Sequence, residues 1–545
     1  MTAHPPPVDD WDPTHRDGGP DAHWTTTNAG EAFPGVVTPL SWTFVGDAAE
    51  ATLRRPAHAV GALTARERDV PTGDRSRFIQ AFYGRVAMQV DYFALLGDRL
   101  PGATGAEIVA NTLGRVPEGM EFHPTRRRYP VVAVRLPWCF VTTQRRIRTL
   151  GADMARWHAD RLAVVPAQGL AGAVETVLEA RRRFERAAVL HGLVLFSVVQ
   201  PLYAALTRLV EKAGVGDVAT LSGAFGVETS EMIADIWDVS RGRLTVEAVA
   251  AKHGFHGPLE GELSSRVWRE DDAPLRRMVT EYADRDESED PRRRELARAA
   301  ARVDTARRVL DALPGWQRPA ARLLLRAAAA GIPLRGIGKV AFLQAIDVGR
   351  AAARHAGRLL VERGVLREAD DVFHLTVDEL GTPLTADVRD LVERRRARRA
   401  EYLRLTIPPG WKGMPVPTPI GSGARVLRAG DVVEGIGVSA GVVEGVARVV
   451  LDPDFMDVEP GEILVAPITD PSWCSIMFLS RGLVVDLGGA LSHAAIVARE
   501  LGIPCVVNTE DGTRAIRTGD LVRVDGDKGT VELLAPRRPT AGLSP

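Results

Sequence analysis

The sequence feature that most constrains the fold is an abrupt change in residue pattern near residue 403. The segment TIPPGWKGMPVPTPIGSGARV, which begins at Thr406, contains five prolines and four glycines among its 21 residues. Proline removes a backbone donor and glycine weakens helices, so this composition is incompatible with a continuous helix or a central strand. The pattern predicts a hinge, residues 403–429, between two domains of different secondary structure.

Residues 31–402 show mainly helical patterns. The stretch ARRRFERAAVLHGLVLFSVVQPLYAALTRLVEKAG has the apolar spacing of a helix and ends at Gly214, a typical helix terminator. Residues 430–535 instead contain short apolar runs such as EILVAP and GLVVD, and close with a hairpin pattern around Asp-Gly-Asp-Lys-Gly. One helix is predicted among these strands, from about Ser492 to Leu501. The sequence therefore predicts a multi-domain protein, with a large, mostly α-helical domain before a small β-rich domain.

Both ends of the chain are predicted to be tails. Residues 1–30 are rich in Pro, Asp and Gly and show no periodicity, which is typical of a flexible tail or of a linker docked on another part of the protein. Residues 536–545 are predicted to be a second, shorter tail.

Charge and cysteine content exclude several classes of function. The formal net charge of -1 gives no overall attraction to nucleic acid or to an anionic membrane surface, so we expect neither as a partner. The three cysteines, Cys139, Cys474 and Cys505, are scattered and form no CxxC pair, which argues against disulfides and structural zinc. No leader pattern or long apolar run is evident, and we expect a cytoplasmic protein.

The position of His493 within DLGGALSHAAIVARELGIPCVV suggests a phosphoryl-carrying site. Gly488 and Gly489 follow an apolar strand and allow the tight turn into a helix. Ser492 suits the N-cap, which places His493 in the first helical turn, where free backbone N–H groups favour an anion. Neutral imidazole is a good nucleophile that can accept and pass on a phosphoryl group. A histidine held there by a structural hydrogen bond is the alternative interpretation.

The wider motif resembles a known family. TDPSW at residues 469–473, followed by GLVVDLGGALSHAAIVARELGIPCVV, resembles the phosphohistidine swivelling domain of phosphoenolpyruvate-utilising enzymes, such as phosphoenolpyruvate synthase and rifampin phosphotransferase. The resemblance implies a β/β/α swivelling domain over residues 430–535 in which His493 is the phosphocarrier. It also places Ser492 and Arg499, with the two glycines, at the phosphate-supporting positions.

Stretches of the helical part are similar to rifampin phosphotransferases in particular. They include WTTTNAGEAFPGVVTPLSW, from Trp24, and GVETSEMIADIWDVSRG, from Gly226. The resemblance implies that residues 31–402 are a substrate-binding domain.

The phosphate donor has no evident place in this sequence. Family members take the phosphoryl group from an ATP-grasp domain or a phosphoenolpyruvate-binding barrel, and we find no G-x-x-x-x-G-K-[ST] motif. About 30 residues precede the helical domain, so we expect no cofactor bound by this chain alone. ATP and magnesium are expected on a separate ATP-grasp subunit.

Three functions follow as hypotheses. In the first, His493 carries phosphate to a hydroxyl of a small-molecule substrate. In the second, the chain is a phosphorylation-independent lyase or dehydratase that uses His493 as a general acid/base on a hydroxylated metabolite. In the third, the chain binds a ligand without chemistry.

The segment KHGFHGPLEGELSSR is the predicted acceptor site. Its three glycines preclude a continuous helix and indicate a loop that can approach a ligand. We predict that His256 and Glu262 are catalytic and that His253, Glu260 and Arg266 bind substrate. A solvated loop is the alternative, and we predict no metal site because the two histidines lack the i, i+4 spacing of zinc motifs.

A second pair of residues could hold an anionic group. Arg335 and Lys339 occur in PLRGIGKVAF and are predicted to bind substrate. Solvation at the start of a helix explains the same residues equally well.

Overall fold

The computed structural model describes residues 11–27, 29–33, 35–102, 104–113, 116–117, 119–216, 218–222, 227–283, 285–420, 427–451, 458–459, 461–469, 473–489 and 492–537. The chain is mostly helical before residue 403 and β-rich after it, as the sequence pattern predicts.

The helices of the first part are followed by three short helices among the C-terminal strands. In chain order they are α1 (Ala29–Ala32), α2 (Pro39–Val60), α3 (Val90–Arg99), α4 (Gly105–Leu113), α5 (Tyr129–Val164), α6 (Leu170–Val194), α7 (Gln200–Ala213), α8 (Val218–Ser222), α9 (Val227–Ser240), α10 (Val246–His253), α11 (Ala273–Ala283), α12 (Pro291–Ala312), α13 (Arg318–Gly331), α14 (Leu334–Glu362), α15 (Val377–Leu380), α16 (Val388–Tyr402), α17 (Cys474–Leu479), α18 (His493–Leu501) and α19 (Gly512–Ala515).

Among the described residues, the strands form three sheets. In chain order they are β1 (His23–Thr25), β2 (Ile79–Phe82), β3 (Arg85–Gln89), β4 (Leu405–Thr406), β5 (Gly410–Lys412), β6 (Thr418–Pro419), β7 (Val432–Glu434), β8 (Ile436–Ser439), β9 (Val442–Val449), β10 (Ile463–Ala466), β11 (Gly482–Val485), β12 (Cys505–Val507), β13 (Leu521–Asp525) and β14 (Thr530–Ala535).

The core of the helical domain is built from α2, α5, α6 and α14. Their apolar faces bury large side chains such as Phe44, Ile147 and Phe184, each contributing about 2 kcal/mol of burial free energy. Gly349 on α14 permits close packing, because a Cβ atom there would lie 2.9 Å from the Phe44 ring. This bundle is the rigid support for the first turn of α14, which carries Arg335.

One helical stretch has the length and composition of a membrane span. A π-helical turn, Leu195–Val199, joins α6 to α7, and the combined helix Leu170–Ala213 is apolar enough to cross a bilayer. Half of its most apolar window is buried inside the protein, as in a core helix. The finding is weak evidence for a membrane.

The structure corrects the flexible tail predicted for residues 1–30 and, in part, the hinge predicted at residues 403–429. Residues 1–10 lie outside the described residues, but His23–Thr25 is a strand between β3 and β5, with Trp24 1% exposed. Gly410–Lys412, within the predicted hinge, pairs with this strand. Aromatic and β-branched residues drive this pairing, because Trp24 and Trp411 face each other across the strands and Thr25 favours extended backbone. The high proline and glycine content of both segments gave no indication of this short sheet.

The C-terminal domain contains one eight-stranded mixed sheet. Its strand order is β7-β14-β13-β9-β10-β11-β12-β8, with parallel pairing from β9 to β12 and the predicted β13–β14 hairpin at residues 521–535. Side chains alternate between its faces. Leu464 and Leu483 face one apolar cluster, while Val465 and Val484 face another. The sheet is thus covered on both sides.

One of these clusters joins the two domains. It combines Trp237 and Trp268 of the helical part with Ala494 and Val497 of α18. A second contact joins the N-terminal region to the sheet, since Thr27 Oγ1 lies 3.5 Å from Asn508 Oδ1. The C-terminal domain is therefore docked against the helical domain, with the N-terminal end of α18 at the junction.

Candidate active site

His493 begins α18, as the sequence predicts. Ser492 is the N-cap, and its Oγ accepts a hydrogen bond of 3.1 Å from the Ala495 N–H. The carbonyl of Gly489 accepts a 3.0 Å hydrogen bond from the Ser492 N–H, which closes the turn into the helix. Gly488 packs so tightly that a Cβ atom there would lie 3.1 Å from Ser492 Oγ. These residues fix the helix start and therefore the direction of the imidazole.

Thr469 orients the imidazole ring of His493. Its Oγ1 lies 3.1 Å from Nδ1, and the direction of this hydrogen bond depends on the histidine tautomer. When Nδ1 carries the proton and donates it to Thr469, the lone pair is on Nε2. Thr469 begins the TDPSW motif, and the sequence did not predict its role, although its position after strand β10 was a usable signal.

Groups of the helical domain surround His493. Burial lowers the pKa of His493 to about 3, with Lys339 adding to the decrease and Glu260 opposing it. His256 and Arg335 also act electrostatically on this imidazole. The structure therefore brings five residues predicted from separate parts of the sequence to one place, and it keeps His493 neutral at physiological pH.

His256 and Glu260 form the polar centre of the loop after α10. Gly254 ends that helix, and Leu259 takes a positive φ of 52°, which turns the chain so that Glu260 folds back onto His256. The distance from His256 Nδ1 to Glu260 Oε1 is 2.5 Å. Gly261 is required by packing, because a Cβ atom there would lie 2.2 Å from the carbonyl oxygen of Ala32.

Lys339 links this loop to α14. Its Nζ lies 3.5 Å from Glu260 Oε2, so one carboxylate pairs with both a lysine and a histidine. Burial alone would raise the pKa of Glu260, but Lys339 and His256 outweigh it and lower the pKa to about 2. Arg335 lies one turn before Lys339 in α14, on the same helical face. The predicted Arg335 and Lys339 pair therefore belongs to the site.

Glu262 has surroundings that differ from those of a catalytic base. It is 2% exposed, and its two oxygens accept five hydrogen bonds, of 2.6–3.0 Å, from the backbone or hydroxyl groups of Thr38, Ser41 and Ser264. Thr38 is the N-cap of α2. Glu262 therefore connects the loop to the start of α2 through hydrogen bonds. This structural role corrects the catalytic role expected for it.

Two further predicted residues lie outside the His493 group. Arg266 has a 59% exposed side chain, and its guanidinium lies 3.9 Å from the carboxylate of Asp370. Arg499 lies six residues along α18 from His493, and its Nε donates to the Val438 carbonyl at 2.6 Å. Because six residues of helix span about 9 Å, Arg499 holds the far end of α18 to β8 and does not support a phosphate at the helix start.

His253 contacts both Asp235 and the ring of His256 in the loop. Its Nε2 lies 2.8 Å from Asp235 Oδ2, and its ring is stacked on that of His256 with centroids 6.4 Å apart. Burial lowers the pKa of His253. This arrangement gives His253 a packing role beside His256.

A buried ionic network that the sequence did not reveal anchors the loop. Arg350 donates to the carbonyl oxygens of Glu260 and Glu262, at 3.2 and 3.0 Å. Asp347, one turn before it, accepts from Arg269 at 2.7 Å and lies 2.8 Å from His158 Nε2. Burial would raise the pKa of Asp347, but these partners lower it. Residues so distant in sequence carry no local pattern that could have predicted this contact.

A metal-binding arrangement is not seen in the part of the chain that the structure describes. Among those residues no group of three or more His, Cys, Asp or Glu side chains could hold a metal ion. The ionisable groups around His493 are instead paired with one another.

Comparison with known families agrees with this geometry. The family described as PEP-utilising enzyme, mobile domain, matches residues 458–529, which include His493. Residues 458–529 are thus similar to the mobile domain of the PEP-utilising enzymes. The family described as rifampicin phosphotransferase fourth domain matches residues 244–336, which include His256 and Glu260. The family suspected from the sequence is thus supported by matches on both sides of the site.

Individual relatives extend the similarity along the chain. An uncharacterised protein of Mycobacterium tuberculosis is 30% identical over 558 residues, covering 94% of this chain and 61% of that protein. Rifampicin phosphotransferase of a Streptomyces species is 40% identical over 254 residues, 45% of this chain and 28% of the relative. The Bacillus subtilis protein of that name is 35% identical over 176 residues, 32% of this chain and 20% of the relative. The chain spans about three fifths or less of the length of these relatives.

Proposed function

We propose that this chain carries a phosphoryl group on Nε2 of His493 and transfers it to a hydroxyl of a small molecule held between the two domains. The observation that supports this most strongly is the contact network of His256, Glu260 and Lys339, whose charges act on His493. The similarity to rifampicin phosphotransferases supports the same type of reaction.

Each group has a part in the proposed transfer. The acceptor oxygen attacks phosphorus as the bond from phosphorus to Nε2 breaks, and the electron pair returns to the imidazole of His493. The acceptor proton passes to His256, whose positive charge is stabilised by the carboxylate of Glu260 through Nδ1. Lys339 and Arg335 balance the charge of the phosphoryl oxygens.

The neutral state of His493 favours this assignment. A histidine with a pKa near 3 keeps its lone pair at every physiological pH, as a phosphoryl acceptor requires. The apolar cluster that contains Ala494 packs beside the partly buried His493 and would limit the access of water to a phosphorylated imidazole.

The donor is proposed to be an ATP-grasp protein or domain that binds ATP and magnesium. The mobile domain would leave the position described here to meet that donor. A reducing cytoplasm suits this chain, because Cys139 and Cys505 are buried free thiols.

The test is transfer to a defined acceptor. The chain is mixed with an ATP-grasp protein from the same organism, MgATP and a set of hydroxylated small molecules that includes rifampicin. We expect one acceptor to gain the mass of one phosphoryl group, with wild type but not with His493→Gln. Loss of water from an acceptor without any nucleotide would instead support the lyase or dehydratase hypothesis.

A further inference from the structure

A groove on the outer side of the helical bundle lies between α2, α5 and α6. Its volume is about 540 Å³, within the range of small-molecule sites. It shares no residue with the group around His493. Its lining consists of Arg55, Arg145, Arg146, Thr149, Leu150, Arg182, Glu185, Arg186, Val189, Leu190 and Leu193.

The groove is strongly positive. Five arginines from three helices line it, and Glu185 is the one carboxylate among the lining residues. Glu185 is paired with Arg55, and Arg182 is paired with Glu175, which lies outside the groove. Arg145, Arg146 and Arg186 have no ion-pair partner among the described residues.

This arrangement costs free energy unless an anion is present. Like charges on neighbouring turns repel each other, by a few tenths of a kcal/mol for each exposed pair in helices. The adjacent Arg145 and Arg146 contribute two guanidinium groups from α5, and Arg186 contributes a third from α6. Planar guanidinium groups match phosphate oxygens with paired hydrogen bonds, so converging arginines suit phosphate better than an isolated lysine would.

The floor of the groove is apolar. Leu150, Leu190 and Leu193 are each 7% exposed or less and form its base beneath the arginines. An inorganic anion alone would leave this surface uncovered, whereas an organic group attached to the phosphates would cover it.

We propose that this groove binds a phosphorylated organic anion that carries at least two phosphate groups. The phosphates lie against the unpaired guanidinium groups, and the organic part covers the leucine floor. The site is independent of the transfer reaction at His493, and its test requires no turnover.

Calorimetric titration with two probes, ADP and inorganic pyrophosphate, both without magnesium, tests the proposal. We expect both to bind wild type, with ADP binding more tightly because its organic part covers the floor. The double variant Arg146→Gln/Arg186→Gln should bind each of the two probes at least tenfold more weakly. The matched control is Arg126→Gln/Arg127→Gln, which removes the same charge from two exposed arginines outside the groove and should bind as wild type does.

The proposal fails if neither probe binds wild type at millimolar concentration. It also fails if the groove variant and the control lose affinity equally, since that result would indicate general attraction to a basic surface. Thermal unfolding at low salt monitors folding, and the groove variant should be at least as stable as wild type because repulsion between the arginines is relieved.

Discussion

The Nδ1 atom of His256 lies 2.5 Å from Oε1 of Glu260, in the loop that faces His493. Such a pair holds the imidazole in one orientation and stabilises its protonated form, as a general base requires. Lys339 contacts the other oxygen of the same carboxylate. Loss of the Glu260 charge would therefore affect both the proposed base, His256, and the proposed phosphate-binding group, Lys339. The loop therefore acts as a unit with α14.

Replacing Glu260 tests that unit. Glu260→Gln keeps the shape but removes the charge, so we expect acceptor phosphorylation to fall by about 100-fold, the usual contribution of an acid–base group. Formation of phosphorylated His493 should continue, because the carrier lies on the other domain. Single-turnover assays from the phosphorylated chain measure the transfer step directly. Equal turnover of variant and wild type would contradict the assigned role.

Glu262 should matter for stability. In Glu262→Gln the amide group would face hydroxyl and N–H donors, so we expect the free energy of unfolding to fall by about 2–4 kcal/mol. Urea unfolding measures the change. Glu393→Gln, on an exposed side chain of α16, is the control and should alter stability by less than about 0.5 kcal/mol. Unchanged stability combined with lost turnover would restore the catalytic role predicted from the sequence.

Acid should favour release of the mobile domain. His493 has a pKa of about 3 when docked, facing Lys339, Arg335, His256 and Glu260, and an ordinary value near 6.5 when exposed to water. Only the undocked state therefore binds a proton between these values. Each pH unit below 6.5 shifts the equilibrium towards undocking by up to about 1.4 kcal/mol, a tenfold change.

Hydrogen exchange of α18 at pH 7.5 and 5.5, corrected for intrinsic exchange rates, measures this shift. Protection should decrease at the lower pH in wild type. His493→Gln cannot titrate and should show little difference between the two conditions. The same decrease in both proteins would show that another group controls docking.

The N-cap of α18 should contribute measurably to the mobile domain. Ser492→Ala removes the acceptor for the Ala495 N–H, so we expect a loss of about 1 kcal/mol in unfolding free energy. Ser492→Asn, which also caps helices well, should restore most of it. Thermal unfolding followed by circular dichroism compares the three proteins. A loss that both substitutions share would indicate that packing, and not capping, is the function of Ser492.

Local patterns predicted the elements that depend on local chemistry. The N-cap serine and closing Gly502 were sufficient to place α18, and the turn residues after Asp525 were sufficient to place the last hairpin. The three glycines of the acceptor segment correctly indicated a loop after His253. These features need only neighbours in the chain.

Local sequence patterns did not predict contacts between residues that are far apart in the chain. The strand at His23–Thr25 exists because Gly410–Lys412 lies beside it, almost 390 residues later. Glu262 was predicted to be catalytic, but Thr38 and Ser41 donate hydrogen bonds to its carboxylate, and no local pattern marked Asp347 as the partner of His158. Polar groups in a pattern do not reveal whether their partner is a substrate or another segment.

The most direct test of the account is chemical phosphorylation of the carrier. Phosphoramidate, a small phosphoryl donor for neutral imidazole, is incubated with the full chain at pH 7.5, and intact mass with peptide mapping locates acid-labile phosphate. The chain has 12 histidines, and we predict one dominant phosphorylated site, His493, with the added mass absent from His493→Gln. Equal labelling of wild type and variant, or a dominant site at another histidine, would contradict the claim that His493 carries the phosphoryl group.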